Sequence, residues 1–339
     1  LKITKKKVTM KDIAEKLNIS INAVSLALND KHGVSEETKK LIFETANQMG
    51  YFEDKLLNKG FKNICVLIEE KNFYDTTFYT KVILGIETES KKNNFDMLIR
   101  FMNLENFQIP TCIESRKVSG ILIVGNIRDE HLRMLLKYNI PIVLVDHATL
   151  ELNLNAILTQ NMIGSYLATR HLIKNGHSQI GFVGEIDFSL SFKQRWLGFE
   201  QAMKDYGLKV DIDYCITEKV EQFVLAKKYN EFASVISQLS KLPTAWICSN
   251  DNTAITLYNA LKILGKKVPE DISIIGFDDI ESCKIITPNL TTVYVDKELM
   301  GKKAVKKLLQ IMGKPKQSTE HIYMEVKLIE RDSVKCLIK

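Results

Sequence analysis

Apolar residues keep two different rhythms along this chain. Over residues 9–49 they return every third or fourth position, the period of a helix with one covered face. From residue 64 onward they gather into short continuous runs separated by longer amphipathic stretches. The first rhythm predicts three helices. Thr9 can cap the first, with Asp12 three residues on completing a capping-box-like pair, and Ile13, Ala14 and Leu17 share the inner face. A polar turn, Asn18-Ile19-Ser20, leads to the second, which opens at Ser20. There Ala23, Val24, Ala27 and Leu28 point inward and Ile21, Asn22, Ser25 and Leu26 outward. Ser35 caps the third, with Glu36 and Glu37 in its first turn; Leu41, Ile42, Thr45, Ala46 and Met49 supply its inner stripe and Gly50 its stop. Periodicity alone leaves two readings of the first pair open. It is either a helical hairpin within a larger helical domain or a helix-turn-helix, whose second helix keeps a bare outer face to enter a major groove.

The second rhythm is that of an α/β core. Strands are expected at ICVLIEE (64–70), DMLIRF (96–101), GILIVG (120–125), PIVLVD (141–146), NAILT (155–159), QIGFVG (179–184), TAWICS (244–249), ISIIGF (272–277) and TTVYV (291–295), with helices between most of them. Runs this continuously apolar are buried on both faces, as in parallel sheets, and their number suits two doubly wound lobes. Ligands of such lobes sit beyond the carboxyl ends of the strands, where this chain places polar and aromatic loops: NFYDTTFYTK, DHATL, EIDFSLSFKQR, NDN and DDIES. No loop reads G-x-G-x-x-G or G-x-x-x-x-G-K-[ST], so dinucleotide and P-loop chemistry have no support. Residues 52–63, where both rhythms lapse, form the linker.

Charge sharpens this division. Of the net charge of +6, four units fall in residues 1–63, where twelve lysines meet eight carboxylates, leaving the longer core nearly balanced. A basic head is an electrostatic footprint for phosphate, although the Lys5-Lys6-Lys7 run also reads as a solvated surface. The six cysteines, at 65, 112, 215, 248, 283 and 336, stand more than thirty residues apart with no histidine at ligand spacing, which argues against a metal site. Those in ICVLI and AWICS read as small hydrophobes in a reducing cytoplasm. No signal-peptide pattern is present, and no apolar run approaches the roughly 20 residues of a membrane span. No catalytic set is visible by spacing: His171 and His177 flank a helix end, and His147 is the histidine nearest the expected cleft. The chain therefore reads as a non-enzyme without cofactor.

Residues 8–29 resemble the N-terminal domain of LacI-type transcriptional regulators. The family pattern V-T-x-x-D-[IV]-A-x-x-x-x-[VI]-S-x-x-[TA]-V-S-x-x-L-N is met here by Val8, Thr9, Asp12, Ile13, Ala14, Ile19, Ser20, Ala23, Val24, Ser25, Leu28 and Asn29. The resemblance implies DNA contacts from Thr9, Ser20, Ile21, Asn22, Ala23, Ser25, Leu26 and Asn29. The family's hinge helix wedges leucines into the minor groove; this linker lacks its Pro-Asn and is about one helical turn short. It is either a wedge through Leu56 or Leu57 or a flexible tether.

Residues 64–333 are similar to the effector core of the same family, itself akin to periplasmic sugar-binding proteins. The match rests on R-W-L-G-F (195–199), S-N-D (249–251), V-P-E-D-I-S-I-I-G-F-D-D (268–279) and L-T-T-V (290–293). By resemblance Arg195, Asn250 and Asp278 hydrogen-bond the hydroxyls or carboxylate of an effector, Phe78 and Tyr79 wall it, and Thr159, Ser189 and Ser191 occupy positions that vary with ligand. The chemistry suits a small polar ring, because Arg offers a rigid fork of donors, Asp a pair of acceptors and an aromatic ring a flat face. Plainer uses compete: Arg195 can pair with a carboxylate, Asp278 or Asp279 can cap a helix, and Phe78 and Tyr79 can be core. Val295 departs from the family, several members of which carry a polar residue there.

The expected architecture is an all-α helix-turn-helix head (1–51), a linker or shortened hinge (52–63) and a periplasmic-binding-protein-like α/β core of two doubly wound parallel-sheet lobes (64–339). The first lobe is expected to hold about 64–159 and 290–320, and the second about 160–289 and 321–339. The expected function is a cytoplasmic, homodimeric regulator, in the first instance a repressor, that binds double-stranded operator DNA and is gated by a small sugar-like effector. No heptad tail for a tetramer is seen, and no membrane partner is expected. The second reading is a free-standing small-molecule sensor with a degenerate head.

Overall fold

The computed structural model describes residues 8–28, 31–49, 51, 62–70, 78–313 and 318–338. Three helices open the chain: α1 (Met10–Leu17), α2 (Ile21–Leu28) and α3 (Glu36–Gln48). Each start is fixed by a side chain. Thr9 and Asp12 form a reciprocal capping box, Asp12 Oδ2 accepting the Thr9 N–H at 2.6 Å and Thr9 Oγ1 accepting the Asp12 N–H at 3.3 Å. The Ala23 N–H donates to Ser20 Oγ at 3.1 Å, and the Thr38 N–H to Ser35 Oγ at 3.2 Å. Ile13, Ala14, Val24, Ala27, Ile42 and Ala46 meet in one small core closed by Tyr51. Leu41 departs from its expected inward place and is 51 % exposed. The covered face of α3 runs through Ile42, Thr45 and Ala46, and Leu41 lies one position, or about 100°, outside it.

The nine expected apolar runs are all strands: β1 (Asn63–Glu69), β2 (Asp96–Met102), β3 (Gly120–Val124), β4 (Ile142–Val145), β5 (Asn155–Thr159), β6 (Ile180–Val183), β7 (Ala245–Cys248), β8 (Ser273–Asp278) and β9 (Thr291–Val295). Two more, β10 (His321–Met324) and β11 (Val326–Ile329), follow near the chain's end. The first sheet has the order β10-β5-β4-β3-β1-β2 and is wholly parallel; the second runs β11-β9-β8-β7-β6, with β11 antiparallel to β9. Helices α4 (Tyr79–Lys92), α5 (Thr111–Glu114) and α6 (Asp129–Leu136) flank the first sheet. Helices α7 (Asn161–Lys174), α8 (Leu190–Asp205), α9 (Glu221–Leu225), α10 (Tyr229–Ser237) and α11 (Asp251–Ile263) belong with the second.

The last long helix, α12 (Lys297–Gly313), returns to the first lobe and packs along α4. Gly85 and Gly301 make that approach possible, since a Cβ on either would collide with backbone of the facing helix, at Glu298 and Val82 respectively. The chain thus crosses between lobes three times: after β5, between β9 and Lys297, and between β10 and β11. Two of these crossings differ from the sequence expectation. Residues 291–295, assigned to the first lobe, extend the second sheet beside β8, and residues 321–324, assigned to the second, extend the first sheet beside β5. Thr291 aligns with Ile275 and His321 with Ala156, so β9 lies inside the second sheet between β8 and β11, and β10 closes an edge of the first.

Candidate functional site

The carboxyl ends of the two sheets face one cleft. From the first lobe it is lined by Phe78 and Tyr79 at the start of α4, Asn126 just beyond β3 and Asp146 just beyond β4. From the second lobe come Ser189 capping α8, Ser191 and Arg195 on α8, Glu221 and Leu225 on α9, and Asn250 and Asp278 at the ends of β7 and β8. Phe188 and Phe192 complete the apolar wall. Apart from Arg195, which reaches in from the second turn of α8, the polar members lie near strand ends or helix starts, where side chains can point between the lobes.

Arg195 anchors the floor and is only 3 % exposed. Its Nε donates to Asn161 Oδ1 at 2.9 Å, Nη1 to the Ser249 carbonyl at 2.5 Å and Nη2 to Asp278 Oδ1 at 3.1 Å. The guanidinium lies 3.7 Å from the centroid of the Phe277 ring, a cation–π placement that holds the fork flat. The ion-pair alternative for Arg195 and its presence in the cleft are therefore both realised. Asp278 has φ +112° and Asp279 φ +51°, a left-handed pair that turns the two carboxylates to different tasks. Asp278 holds Arg195, while Asp279 holds Arg331 at 2.6 Å. Lys297, 4 % exposed, lies beneath this turn and donates to the carbonyls of Asp278, Asp279 and Val295.

Asp146, itself at φ +57°, stands opposite. Ser191 Oγ and Tyr79 Oη reach its two oxygens, each at 3.4 Å. Burial pushes its carboxyl up to about 7 and the charge of Asp278 adds to the rise, with Arg195, Ser191 and Tyr79 opposing it. The Asp146–Ser191 contact bridges the lobes, as do Asn126 Nδ2 donating to the Phe188 carbonyl at 3.1 Å and Lys81 paired with Glu281 at 2.9 Å.

Seven of the eight residues expected at an effector site line this cleft: Phe78, Tyr79, Ser189, Ser191, Arg195, Asn250 and Asp278. Two of them also have structural tasks. Ser189 Oγ accepts the Phe192 N–H at 3.2 Å and Asn250 Oδ1 the Thr253 N–H at 2.7 Å, capping α8 and α11. Thr159 does not line the cleft and is fully buried. It pairs in register with Met324 of β10, a strand the sequence pattern did not reveal, and Gln160 N donates to the Met324 carbonyl. Asn126, Asp146 and Glu221 were missed. Asp146 was in view as the last residue of a strand run, and a strand-end carboxylate facing the cleft is the signal that could have found it. His147 is not among the lining residues, and His177 is a buried structural group bonded to Thr244 and the Lys335 carbonyl. Among the described residues, no group of three or more His, Cys, Asp or Glu is placed to hold a metal ion, and no helix is long and apolar enough to cross a membrane.

On the head, Ile21 (50 % exposed) and Asn22 stand free at the first turn of α2. Thr9 and Ser20 are exposed beside them, with Ala23 and Ser25 half-buried. Leu26, expected to point outward, is half-covered because it packs over Gly33, where the chain turns toward α3 at φ +117°. Asn29, Leu56 and Leu57 lie outside the described residues, as does most of the linker.

Comparison with known proteins joins these two parts. The sequence model of bacterial regulatory proteins of the lacI family matches residues 9–54, and that of a periplasmic binding protein-like domain matches residues 169–334. The HTH-type transcriptional repressor PurR of Actinobacillus pleuropneumoniae is 29% identical over 342 residues, covering 98% of this chain and 99% of that protein. The ribose operon repressor of Haemophilus influenzae is 27% identical, covering 96% and 98%. Among solved structures, a LacI family transcriptional regulator from Enterococcus faecium with bound ribose superposes with a TM-score of 0.70 at 26% identity, over 81% of this chain and 100% of that one. The lac repressor dimer bound to operator and the anti-inducer ONPF shares the fold over 97% of this chain, with a TM-score of 0.67 at 22% identity. The chain therefore joins a DNA-binding domain of the lacI family type to a periplasmic binding protein-like domain, in an arrangement these regulators match nearly end to end.

Proposed function

We propose that the chain is a cytoplasmic transcriptional repressor that reads duplex operator DNA through the first turn of α2 and is gated by a small polyhydroxylated effector bound between its lobes. The observation that carries the reading is that one chain joins a bare Ile21–Asn22 helix start, held by side-chain caps, to a two-lobed cleft whose polar groups converge. The relatives are named as repressors, and one neighbouring structure holds ribose. The effector-contact set is Phe78, Tyr79, Ser189, Ser191, Arg195, Asn250 and Asp278, to which Asn126, Asp146 and Glu221 are added. Arg195 is already engaged by Asp278, and two further carboxylates face the same space. That balance favours a ligand whose hydroxyls donate, and it disfavours a sugar acid or sugar phosphate. Two copies of the chain place two heads on a two-fold symmetric site.

Selection from a random duplex pool at low salt tests the DNA half. Enrichment of a near-palindromic site whose affinity falls steeply with salt is expected; no enrichment with or without added sugars would sink the repressor reading and leave the free-standing sensor. A thermal-shift comparison of neutral aldoses with uronates and sugar phosphates tests the effector half. A rise in Tm with the neutral class alone is expected.

A further inference from the structure

Six cysteines spaced more than thirty residues apart read in the sequence as small hydrophobes, but the fold brings two of them together. Cys65 on β1 and Cys112 on α5, 47 positions apart, place their Sγ atoms 3.9 Å from each other. We propose that Cys65 and Cys112 form an oxidation site, a dithiol that a hydroperoxide converts to an intramolecular disulfide.

The two partners differ in freedom. β1 is fixed by β2 on one side and β3 on the other, while α5 is a four-residue turn reached through residues 103–110, which form neither helix nor strand. A disulfide needs an Sγ–Sγ distance of about 2.05 Å, so closure requires α5 to approach by about 2 Å and leaves the sheet in place. The partners also differ in chemistry. Cys65 is fully buried, while Cys112 keeps 6 % of its surface. The parallel register sets Leu67 beside Arg100 and Cys65 beside Leu98, so Arg100 lies on the cysteine face of the sheet. The hydrogen bond shared between the thiols, helped by the Arg100 charge, holds Cys112 below the ordinary thiol range, while that same bond and burial raise Cys65 against the opposing Arg100 charge.

Cys112 is accordingly the attacking group and Cys65 the resolving one. The Cys112 thiolate attacks one peroxide oxygen and breaks the O–O bond; sulfur is oxidised to the sulfenic acid, and the departing oxygen leaves as hydroxide or alkoxide and takes up a proton. Cys65 sulfur then attacks the sulfenyl sulfur, forming the S–S bond and expelling hydroxide, which takes the Cys65 proton as water. Two thiols and one hydrogen peroxide give one disulfide and two waters. The product pins α5 to the first strand after the linker.

The test uses the reduced full-length protein treated with hydrogen peroxide, quenched by alkylation and mapped by peptide mass. A peptide joining Cys65 to Cys112, lost on reduction, is expected. Cys65→Ser and, with no hydroxyl placed in the apolar face, Cys65→Ala are expected to stop at a dimedone-reactive sulfenic acid on Cys112, whereas Cys112→Ser leaves Cys65 reduced. The proposal is overturned if both thiols stay reduced while the exposed Cys336 oxidises, if the wild type oxidises Cys112 without the cross-link, or if another pair links instead.

Discussion

The Arg195 guanidinium donates to the Asp278 carboxylate at 3.1 Å on the cleft floor, with both side chains almost wholly withdrawn from water. A pair in this setting is costly to break from one side, because the partner is left buried and charged. Arg195→Met is expected to destabilise the core by about 3–5 kcal/mol, whereas the double variant with Asp278→Asn recovers much of that loss. Urea unfolding of the four members of the cycle measures the coupling. Additive losses would show that the two groups do not depend on each other.

Asp146 gives the protein a pH dependence of definite sign. Its carboxyl rises from 3.8 to about 7 on folding, so the folded state holds a proton that the unfolded chain releases. Its contribution is full below 3.8 and is lost as pH climbs toward about 7. The ceiling on this loss is about 4 kcal/mol, lowered by the water that still reaches the group. Asp146→Asn is expected to flatten the unfolding free energy across that window and to be the more stable protein above it. Chemical denaturation at a series of pH values checks both parts.

Lys297 satisfies three carbonyls with one ammonium. Lys297→Met keeps the length of the side chain and orphans Asp278, Asp279 and Val295, and it is expected to cost about 1–3 kcal/mol. Faster amide exchange in the Asp278–Asp279 turn than in β6, at the far edge of the same sheet, would localise the damage. Uniformly faster exchange would argue for general loosening.

Thr9→Ala removes the hydroxyl that accepts the Asp12 N–H at the start of α1, leaving the backbone half of the capping box, and is expected to lower head stability by about 1 kcal/mol while leaving the core melt unchanged. Two calorimetric transitions, only the lower of which moves, would bear this out.

Once a site has been selected, Asn22→Ala is expected to cost about 1–3 kcal/mol on that duplex and to relax one base position, since its amide is suited to bidentate readout of adenine. Lys11→Ala, which removes an exposed positive charge from α1, is expected to weaken all duplexes alike. Equal losses for Asn22→Ala on selected and scrambled duplexes would refute the assignment.

The alternation of apolar runs and amphipathic stretches made β1 to β9 and the head legible, because burial on both faces of a parallel strand leaves an unmistakable pattern. It failed at β10 and β11, four-residue edge strands in which His321, Tyr323 and Lys327 face solvent and dilute the apolar signal. The missed β10 also misplaced Thr159, and two of the expected lobe crossings fell on the wrong side of β9 and β10. In the cleft, Arg195, Asn250 and Asp278 stood inside family motifs and Phe78, Tyr79, Ser189 and Ser191 in loops the resemblance aligned, whereas Asn126, Asp146 and Glu221 had neither guide. Glu221 follows a stretch with no motif, and Asn126 earns its place only through where β3 happens to end. The meeting of Cys65 with Cys112 has no sequence signature at all, because nothing local brings α5 onto β1.

The three crossings also bear on how the protein is made. β10 pairs with β5 across 165 positions, and β11 closes an edge beside β9 only afterwards. Neither lobe can be finished until the ribosome has released nearly the whole core, so during synthesis the edges of β5 and β9 stand open together. Long-range pairing of this kind is slow, and the interval is the one in which the nascent chain most needs a chaperone.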